Sequence, residues 1–390
     1  MKQGWEVKKL GDICDILDNL RKPITKKDRI EGIYPYYGAT GILSYVHNYI
    51  FNEDLVLIGE DGAKWHSGAT TSFIAKGKYW VNNHAHVIRP NRNFILDNWI
   101  VYFLNYSDLT PYITGMTVPK LNQEKMRSIE IPLPLVHEQR YLLEILDEAF
   151  EAIAKAKANA EQNLKNVREL FESYLRNCFK DKTHGEKSEA LDNLSELIVD
   201  CEHHTAPIQT KGYPSIRTPN IGKGELILEN VNRVSYETYL KWTKRATPKA
   251  GDLILAREAP AGNIAVIPEG IEVCLGQRTV LIRPLKDKLI SRYLALLILS
   301  KDVQDNLLSH STGATVQHIN MKDIRAFKIY NLCSIEEQQL IVKKIDALSA
   351  QIQKLEAIYQ QKVADLNELK KSLLQKAFNG ELKTLEPVEA

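Results

Sequence analysis

Apolar residues at alternating spacings of three and four mark two segments of the chain as long helices. In the first, Leu146, Ala149, Ile153, Ala156, Ala160, Asn163, Val167, Leu170 and Tyr174 fall on one line; in the second, Ile345, Leu348, Ile352, Leu355, Tyr359, Lys362, Leu366, Leu369 and Leu373 do the same. This is the a/d spacing of a coiled-coil seam. Neither segment contains Pro or Gly, so each can run for roughly 40 residues, about 60 Å at 1.5 Å per residue. Helices so long and amphipathic need a partner. A helix-pair interface is expected at Leu146, Ile153, Val167 and Leu170 against Ile345, Leu348, Ile352, Leu355, Leu366 and Leu369. The polar seam positions Asn163 and Lys362 fall at equivalent points. Such residues can fix register, or reach sideways to solvent.

Elsewhere the pattern changes to short apolar runs bounded by glycines and Asn pairs, a strand-and-turn texture. Asp54-Leu-Val-Leu-Ile58, Tyr79-Trp-Val81 and His86-Val-Ile-Arg89 are predicted strands, and the order recurs later: Gly251-Asp-Leu-Ile-Leu255 answers the first and Val280-Leu-Ile-Arg-Pro284 the last. The recurrence is general. Gly115-Met-Thr-Val-Pro-Lys-Leu-Asn122, followed by Arg127 and Ile131, returns as Gly313-Ala-Thr-Val-Gln-His-Ile-Asn320, followed by Arg325 and Ile329. Each copy passes through a Glu-Gln pair (Glu138-Gln139, Glu337-Gln338) into its helix, which ends in similar words, Glu169 to Phe179 and Glu368 to Phe378. A period of about 200 residues is far too long for a solenoid unit and marks a duplicated domain.

The expected architecture is α+β, with two mixed α/β domains separated by two long antiparallel coiled-coil helices in a pseudo-two-fold arrangement. The boundaries read 1–135 for the first domain, 136–182 for the first helix, 183–333 for the second domain, 334–382 for the second helix and 383–390 for a tail. Gly185, in a polar loop, and Gly380 stand where helix C-caps belong.

At 390 residues with 44% hydrophobic content the chain can fill real cores. No apolar stretch reaches the roughly 18 to 20 residues of a membrane span, and Met1 to Trp5 lacks a signal-peptide core, so a soluble, cytoplasmic protein with no membrane partner is expected. The five cysteines are scattered, without disulfide or zinc spacing. Net charge is only +2, but Lys22, Lys26, Lys27 and Arg29 cluster, as do Lys241, Lys244, Arg245 and Lys249. Such clusters suit phosphate contacts and equally a solvated face.

Catalytic motifs are missing: no phosphate loop, no G-x-G-x-x-G after a strand, no Asn/Asp-Pro-Pro-aromatic tetrapeptide and no G-x-S-x-G elbow. His84-Ala-His86 and His203-His204 are the best metal-like pairs, and neither has further ligands at a suitable spacing, so no metal is expected. What remains suits reading DNA edges, loops rich in side chains that pair with base edges and phosphates. In the first copy these are Tyr36, Tyr37, Thr40, Lys64, Trp65, His66, Asn82, Asn83 and His84; in the second, Arg217, Asn220, Arg257, Glu258, Gln277, Arg278 and His318. In the repeated element, Thr117 and Thr315 belong to a small-residue run that allows close backbone approach to a phosphate, and Lys120 adds charge. That element also suits a plain turn before a helix.

Ile131-Pro-Leu-Pro-Leu-Val-His-Glu-Gln139 leading into a coiled-coil helix resembles a hallmark of the DNA-specificity subunit of Type I restriction-modification systems. So do the Gly-x-Thr-Val element, the terminal Gln375-Lys-Ala-Phe-Asn-Gly-Glu-Leu382 and the opening Trp5-Glu-Val-Lys-Lys-Leu-Gly-Asp-Ile13 with its weaker echo Leu194-Ser-Glu-Leu197. Two departures stand out. The second copy has Ile329-Tyr-Asn-Leu-Cys333 where the family usually has prolines, and the first has Gly59-Glu-Asp-Gly62 where the second has the more typical Arg257-Glu-Ala-Pro260. The resemblance implies two target recognition domains, each reading half of a bipartite asymmetric site in double-stranded DNA. It also implies two docked methyltransferase subunits, which bind S-adenosylmethionine and methylate adenine, and a translocating restriction subunit in the full complex. The chain itself would be non-catalytic and hold no cofactor. The rival class is a protein-interaction scaffold whose duplicated domains bind no DNA.

Overall fold

The computed structural model describes residues 4–309 and 318–382. The chain divides into two compact units, Met1–Glu161 with Gln360–Ala390, and Gln162–Tyr359. In the first unit the elements are β1 (Glu6–Lys9), α1 (Leu10–Ile13), β2 (Cys14–Ile16), β3 (Glu31–Gly38), β4 (Gly41–Val46), β5 (Phe51–Asn52), β6 (Leu55–Gly59), β7 (Ser72–Ala75), β8 (Lys78–Val81), β9 (Ala85–Pro90), α2 (Asp97–Tyr106), α3 (Gln123–Arg127) and β10 (Glu130–Leu133). The long helix α4 (Val136–Phe179) follows. The second unit has β11 (Ser188–Ala190), β12 (Ser195–Asp200), β13 (Tyr213–Ile216), β14 (Gly224–Glu225), β15 (Arg233–Val234), α5 (Tyr236–Trp242), β16 (Leu253–Ala256), β17 (Ile264–Val266), β18 (Cys274–Leu275), β19 (Thr279–Pro284), α6 (Ser291–Leu299), α7 (Lys301–Ser309), α8 (Met321–Ala326) and β20 (Lys328–Tyr330), with α5 and α7 added to the order of the first. The last helix is α9 (Ile335–Asn379), which belongs to the second unit up to Tyr359 and to the first from Gln360.

The predicted strands are present, each shifted by a residue or two. In the first unit the main sheet has the order β2-β9-β6-β7, with Val56 opposite Ile88, and a second sheet runs β4-β3-β8-β5. In the second unit β12-β19-β16-β17-β14 takes the same central order, with Ile254 opposite Leu281, beside a small sheet β15-β13-β18. Leu55, Val56, Leu57 and Ile58 are all buried, as are Leu253 to Ala256. These central strands are covered on both faces, which is why they read as unbroken apolar runs rather than alternations.

Each long helix is tied to its domain by the glutamine of the Glu-Gln pair. Gln139 is fully buried: its side-chain oxygen accepts from the Leu96 amide at 2.9 Å, and its Nε2 donates to the Phe94 and Pro134 carbonyls at 2.7 and 2.8 Å. Gln338, equally buried, accepts from the Ile290 amide at 2.9 Å and donates to the Lys288 and Cys333 carbonyls, both at 2.9 Å. One amide thus satisfies three backbone groups of the loop entering α2 or α6 and of the turn entering the long helix. The missing prolines of the second copy do not disturb this, because Cys333 presents its carbonyl where Pro134 does.

An aromatic ring completes the attachment. In the first unit Phe378, on α9, packs against Trp99, Phe103 and Tyr106 of α2 with centroids 4.8, 5.2 and 5.6 Å away. In the second, Phe179, on α4, packs against Tyr293 of α6 at 5.3 Å. The recurring phenylalanine of one copy therefore fills the core of the unit built on the other copy's strands.

Helix ends follow local chemistry. Ser334 and Glu337 form a reciprocal capping box at the start of α9, each side chain accepting from the other's amide. At its end Gly380, at φ +72°, donates to Ala377 and Glu381 donates to Lys376, a Schellman closure. Gly185 is different. α4 stops at Phe179 and passes through a 3-10 turn, Lys180–Lys182, so Gly185 lies beyond the cap position expected of it.

The seam is narrower than its spacing suggests. Leu146 and Ile153 are buried in the first unit, and Ile345 and Ile352 in the second, while Val167, Leu348 and Leu366 are half-buried. Leu170, Leu355 and Leu369 are 59, 40 and 47% exposed, and Asn163 and Lys362 are also exposed, which corrects the interface expected for these positions. A straight helix drifts about 20° per heptad from a strict 3.5 repeat, and here its rotation is already set by the buried glutamine and phenylalanine. In the first unit Lys157 bonds Asn367 at 3.2 Å and Lys370 lies over the Phe150 ring at 4.8 Å, so the helices run antiparallel.

Replacing Gln139 with Leu leaves three buried backbone groups unpaired and is expected to cost about 3 kcal/mol of stability. Phe378→Ala should cost about 3 to 5 kcal/mol by opening a cavity beside Trp99. Urea unfolding of the full chain measures both; an unchanged midpoint for Gln139→Leu would show that these bonds do not hold the helix.

Candidate nucleic-acid interface

In the first unit the C-terminal ends of β2 and β6 and the N-terminal ends of β7 and β9 lie at one end of the main sheet, as the pairs Ile16–Ile88, Ile58–His86 and Ile58–Ser72 show. The loop to α2 that Gln139 holds leaves the opposite end of β9. Polar loop chemistry and helix attachment are therefore at different ends of the sheet.

Buried charges organise the loop end. Asp18, just after β2, accepts from the Val87 amide at 2.9 Å and from His86 Nδ1 at 2.6 Å. The other nitrogen of His86 lies 2.7 Å from the Leu121 carbonyl. Both ring nitrogens thus face oxygens. Glu60, just after β6, holds Arg21 at 2.5 Å and Lys120 at 2.6 Å, and its carbonyl accepts from the Leu121 amide at 2.8 Å. The loop carrying the repeated element closes through paired amide-carbonyl bonds between Thr114 and Lys120, both 2.8 Å. Gly115 needs its φ of +91°, and a Cβ there would meet the Val118 carbonyl oxygen at 2.4 Å.

The second unit builds the same clasp from other residues. Asp200, equivalent to Asp18, takes Arg257 Nη1 on its two oxygens at 2.9 and 2.8 Å. Arg257 Nε donates to the Ile319 carbonyl at 2.9 Å, the counterpart of His86 and Leu121. Its Nη2 lies 2.8 Å from His318 Nε2, while His318 Nδ1 reaches Glu258 at 2.7 Å. A guanidinium only donates, so His318 accepts from Arg257 and donates to Glu258. The His318–Glu258 pair repeats Lys120–Glu60.

These contacts sort the residues singled out in the sequence. Thr40, Lys64, His66, Asn83, His84, Thr117, Arg217 and Arg278 are exposed, and Tyr37, Lys120, Asn220, Gln277 and His318 are half-buried. Four are corrected to interior roles. Tyr36 is buried with its hydroxyl on the Ile24 amide at 3.0 Å, and Trp65 packs in the core with its indole N–H on the Gly59 carbonyl at 3.2 Å. Asn82 is buried and caps the His84 amide at 2.8 Å, and Arg257 is consumed by the clasp. Lys120 points inward to Glu60, Asn220 braces its own turn through the Arg217 amide, and Gln277 holds the His203 carbonyl. Thr315 lies outside the described residues.

Asp18, Arg21 and Asp200 escaped the sequence reading, and only alignment of the two copies from their first strands would have matched Asp18 to Asp200. The His84/His86 pair also separates, His84 turning out to Asp61 and His86 turning in. Asp18, Glu60 and His86 bring ligand atoms within 4.8 Å of one another, a spacing a metal could use. Here Arg21 and Lys120 neutralise Glu60, and the Leu121 carbonyl occupies the second imidazole nitrogen, so protein cations fill the role.

Hydrogen bonds and the nearby cations hold the Asp18 and Glu60 carboxyls below the usual carboxylate range, outweighing burial, which pushes them up. A depressed acid stabilises the fold above its unfolded value, and that contribution is lost as pH falls through the folded value. Stability of the chain should therefore drop as pH falls below about 4, and Asp18→Asn should flatten that drop. Urea midpoints measured across this range check it; parallel curves for the two proteins would remove Asp18 from the acid response.

The family model for the Type I restriction modification DNA specificity domain matches residues 2–165 and again 204–362, once per copy. A putative type I restriction enzyme specificity subunit of Haemophilus influenzae is 34% identical over 147 residues, 37% of this chain and 38% of that protein, so the matched part spans little more than a third of that relative. The MjaVIII specificity subunit of Methanocaldococcus jannaschii is 23% identical over 98% of this chain and 93% of its own. The fold matches, at TM-score 0.72 and 19% identity, a chain from a structural study of complex assembly and conformational transition of the type I R-M system, covering 98% of this chain and 99% of that one. With its family model matched across both copies, this chain belongs to the Type I restriction modification DNA specificity family.

Proposed function

We propose that this chain is the non-catalytic subunit that chooses the DNA sequence for a Type I restriction-modification complex, each unit reading one half of a bipartite asymmetric site in double-stranded DNA. The observation that carries this is the repeated loop end, the same sheet and clasp presenting two different exposed surfaces. The first offers Lys64, His66, Asn83, His84 and Thr117; the second offers Arg217 and Arg278. Two identical surfaces would suit a palindrome, whereas two different ones suit unlike half-sites. With a net charge of only +2, affinity must come from these local groups.

The partners in this reading are two methyltransferase subunits, which bind S-adenosylmethionine and methylate adenine, and restriction subunits that translocate DNA. Leu170, Leu340, Leu355 and Ile358 leave apolar side chains exposed along α4 and α9 within the second unit, and Leu369 does so within the first, a surface fitted to helical partners. No helix among the described residues is long and apolar enough to cross a membrane; the proposed setting is the cytoplasm, where the DNA is.

Anisotropy titrations with duplex DNA at several salt concentrations test the reading, using the chain with its methyltransferase. Binding should weaken steeply with salt. Arg278→Ala should cost about 1 to 3 kcal/mol and loosen one position of one half-site, whereas Lys64→Ala should weaken all sequences alike. A scaffold for proteins would show no salt-dependent DNA binding at all.

A further inference from the structure

We infer that His318 is a positioning residue for base readout, the middle member of a side-chain relay that aims Arg278 at the second half-site; this rests on the DNA-recognition reading above. The relay can be followed bond by bond. Asp200 holds Arg257, Arg257 donates to His318 Nε2 at 2.8 Å, and His318 Nδ1 donates to Glu258 Oε1 at 2.7 Å. The other oxygen of Glu258 holds Arg278 Nε at 2.9 Å. Side-chain exposure is 9% at Arg257, 31% at His318 and 18% at Glu258, against 61% at Arg278. The relay thus begins in the core and ends in solvent.

The backbone agrees with the side chains. Arg278 has φ +66°, a left-handed conformation that a non-glycine residue keeps only when its surroundings impose it. Here its carbonyl accepts from the Arg257 amide at 2.9 Å, so Arg257 pins both ends of the relay. Only Nε of Arg278 is engaged, and among the described residues nothing else binds the guanidinium. Its terminal nitrogens are available for the forked contact that arginine makes with guanine O6 and N7.

The first unit supports the same logic with other residues. His84 occupies the position equivalent to Arg278, is exposed, and is held by an acid one residue beyond Glu60, with Nδ1 2.5 Å from Asp61. An exposed reader braced by an acid on the loop after the central strand therefore occurs in both copies. Only in the second does a histidine connect that acid to the buried clasp.

The test uses the full chain with its methyltransferase, scoring methylation rates on the parental site and on sites with single base changes in each half. His318→Ala should lower discrimination by about tenfold at the one position that Arg278→Ala also loosens, leaving the first half-site and the salt slope unchanged. The double variant should be no worse than Arg278→Ala alone, since both act on one contact. His318→Gln, which can accept from Arg257 and donate to Glu258, should restore discrimination. If His318→Ala does not fold, Glu258→Gln reports on the same position. Wild-type protein without sequence preference would defeat the recognition reading itself. A discriminating wild type in which the position loosened by Arg278→Ala survives His318→Ala, or in which the two losses add, would overturn the relay alone, as would an Arg278→Ala variant that discriminates like wild type.

Discussion

The structure of each unit depends on one buried side-chain amide. Gln139 and Gln338 sit where a strand ends, a long helix begins and the loop into α2 or α6 turns, and each supplies the hydrogen bonds that three backbone groups there lack. Buried backbone groups cannot go unpaired without cost, and the glutamine amide offers an acceptor and two donors in one small planar group, on a stem one methylene longer than asparagine's. The glutamine therefore fixes the angle and rotation at which the helix leaves its domain. Once rotation is set, the face that meets the partner helix is set too, and leucines such as Leu170 and Leu355 stay in water despite their seam spacing.

Anchoring the helix at one end of the sheet leaves the other end to polar loops, and there a second constraint applies. An aspartate, an acid after the central strand and a residue before the α3 or α8 asparagine must be joined by donor side chains inside the fold. A buried network of this kind is stable only when every member is satisfied, so one member cannot change without its neighbours. The two copies obey this. Where the first uses His86 on Asp18, the second uses Arg257 on Asp200, and where the first uses Lys120 on Glu60, the second uses His318 on Glu258. The donor side chains have been exchanged while the acids and the carbonyls of Leu121 and Ile319 have stayed.

This explains which parts of the molecule can be read from its sequence. The strands are legible because central strands buried on both faces produce unbroken apolar runs, as at Leu55 to Ile58 and Leu253 to Ala256. The helices are legible from their period, and Gly380 from the left-handed turn it must make. Direction is not legible. Arg257 and Arg278 are the same residue type in similar loops, yet one is enclosed by Asp200, His318 and Ile319 and the other stands in solvent. Likewise His84 and His86, two positions apart, point to opposite sides because His84 lies in the turn before β9 while His86 lies in the strand itself; within one strand the two would share a face. Residue type and loop position thus leave the role of each polar side chain open, and partners distant in sequence assign it.

The division between a coupled interior and an uncoupled rim has a consequence for how two copies diverge. Changes among Asp18, His86, Glu60 and Lys120 are tied together, since any one leaves a buried charge or carbonyl unpaired. Changes at Lys64, His66, Asn83 or Thr117 carry no such penalty, because their side chains stand in water. A duplicated domain can therefore keep its sheet, clasp and helix attachment while its exposed groups drift independently. Two copies of one fold then come to present unlike surfaces, which is what the proposed reading of two unlike half-sites by a single chain would require.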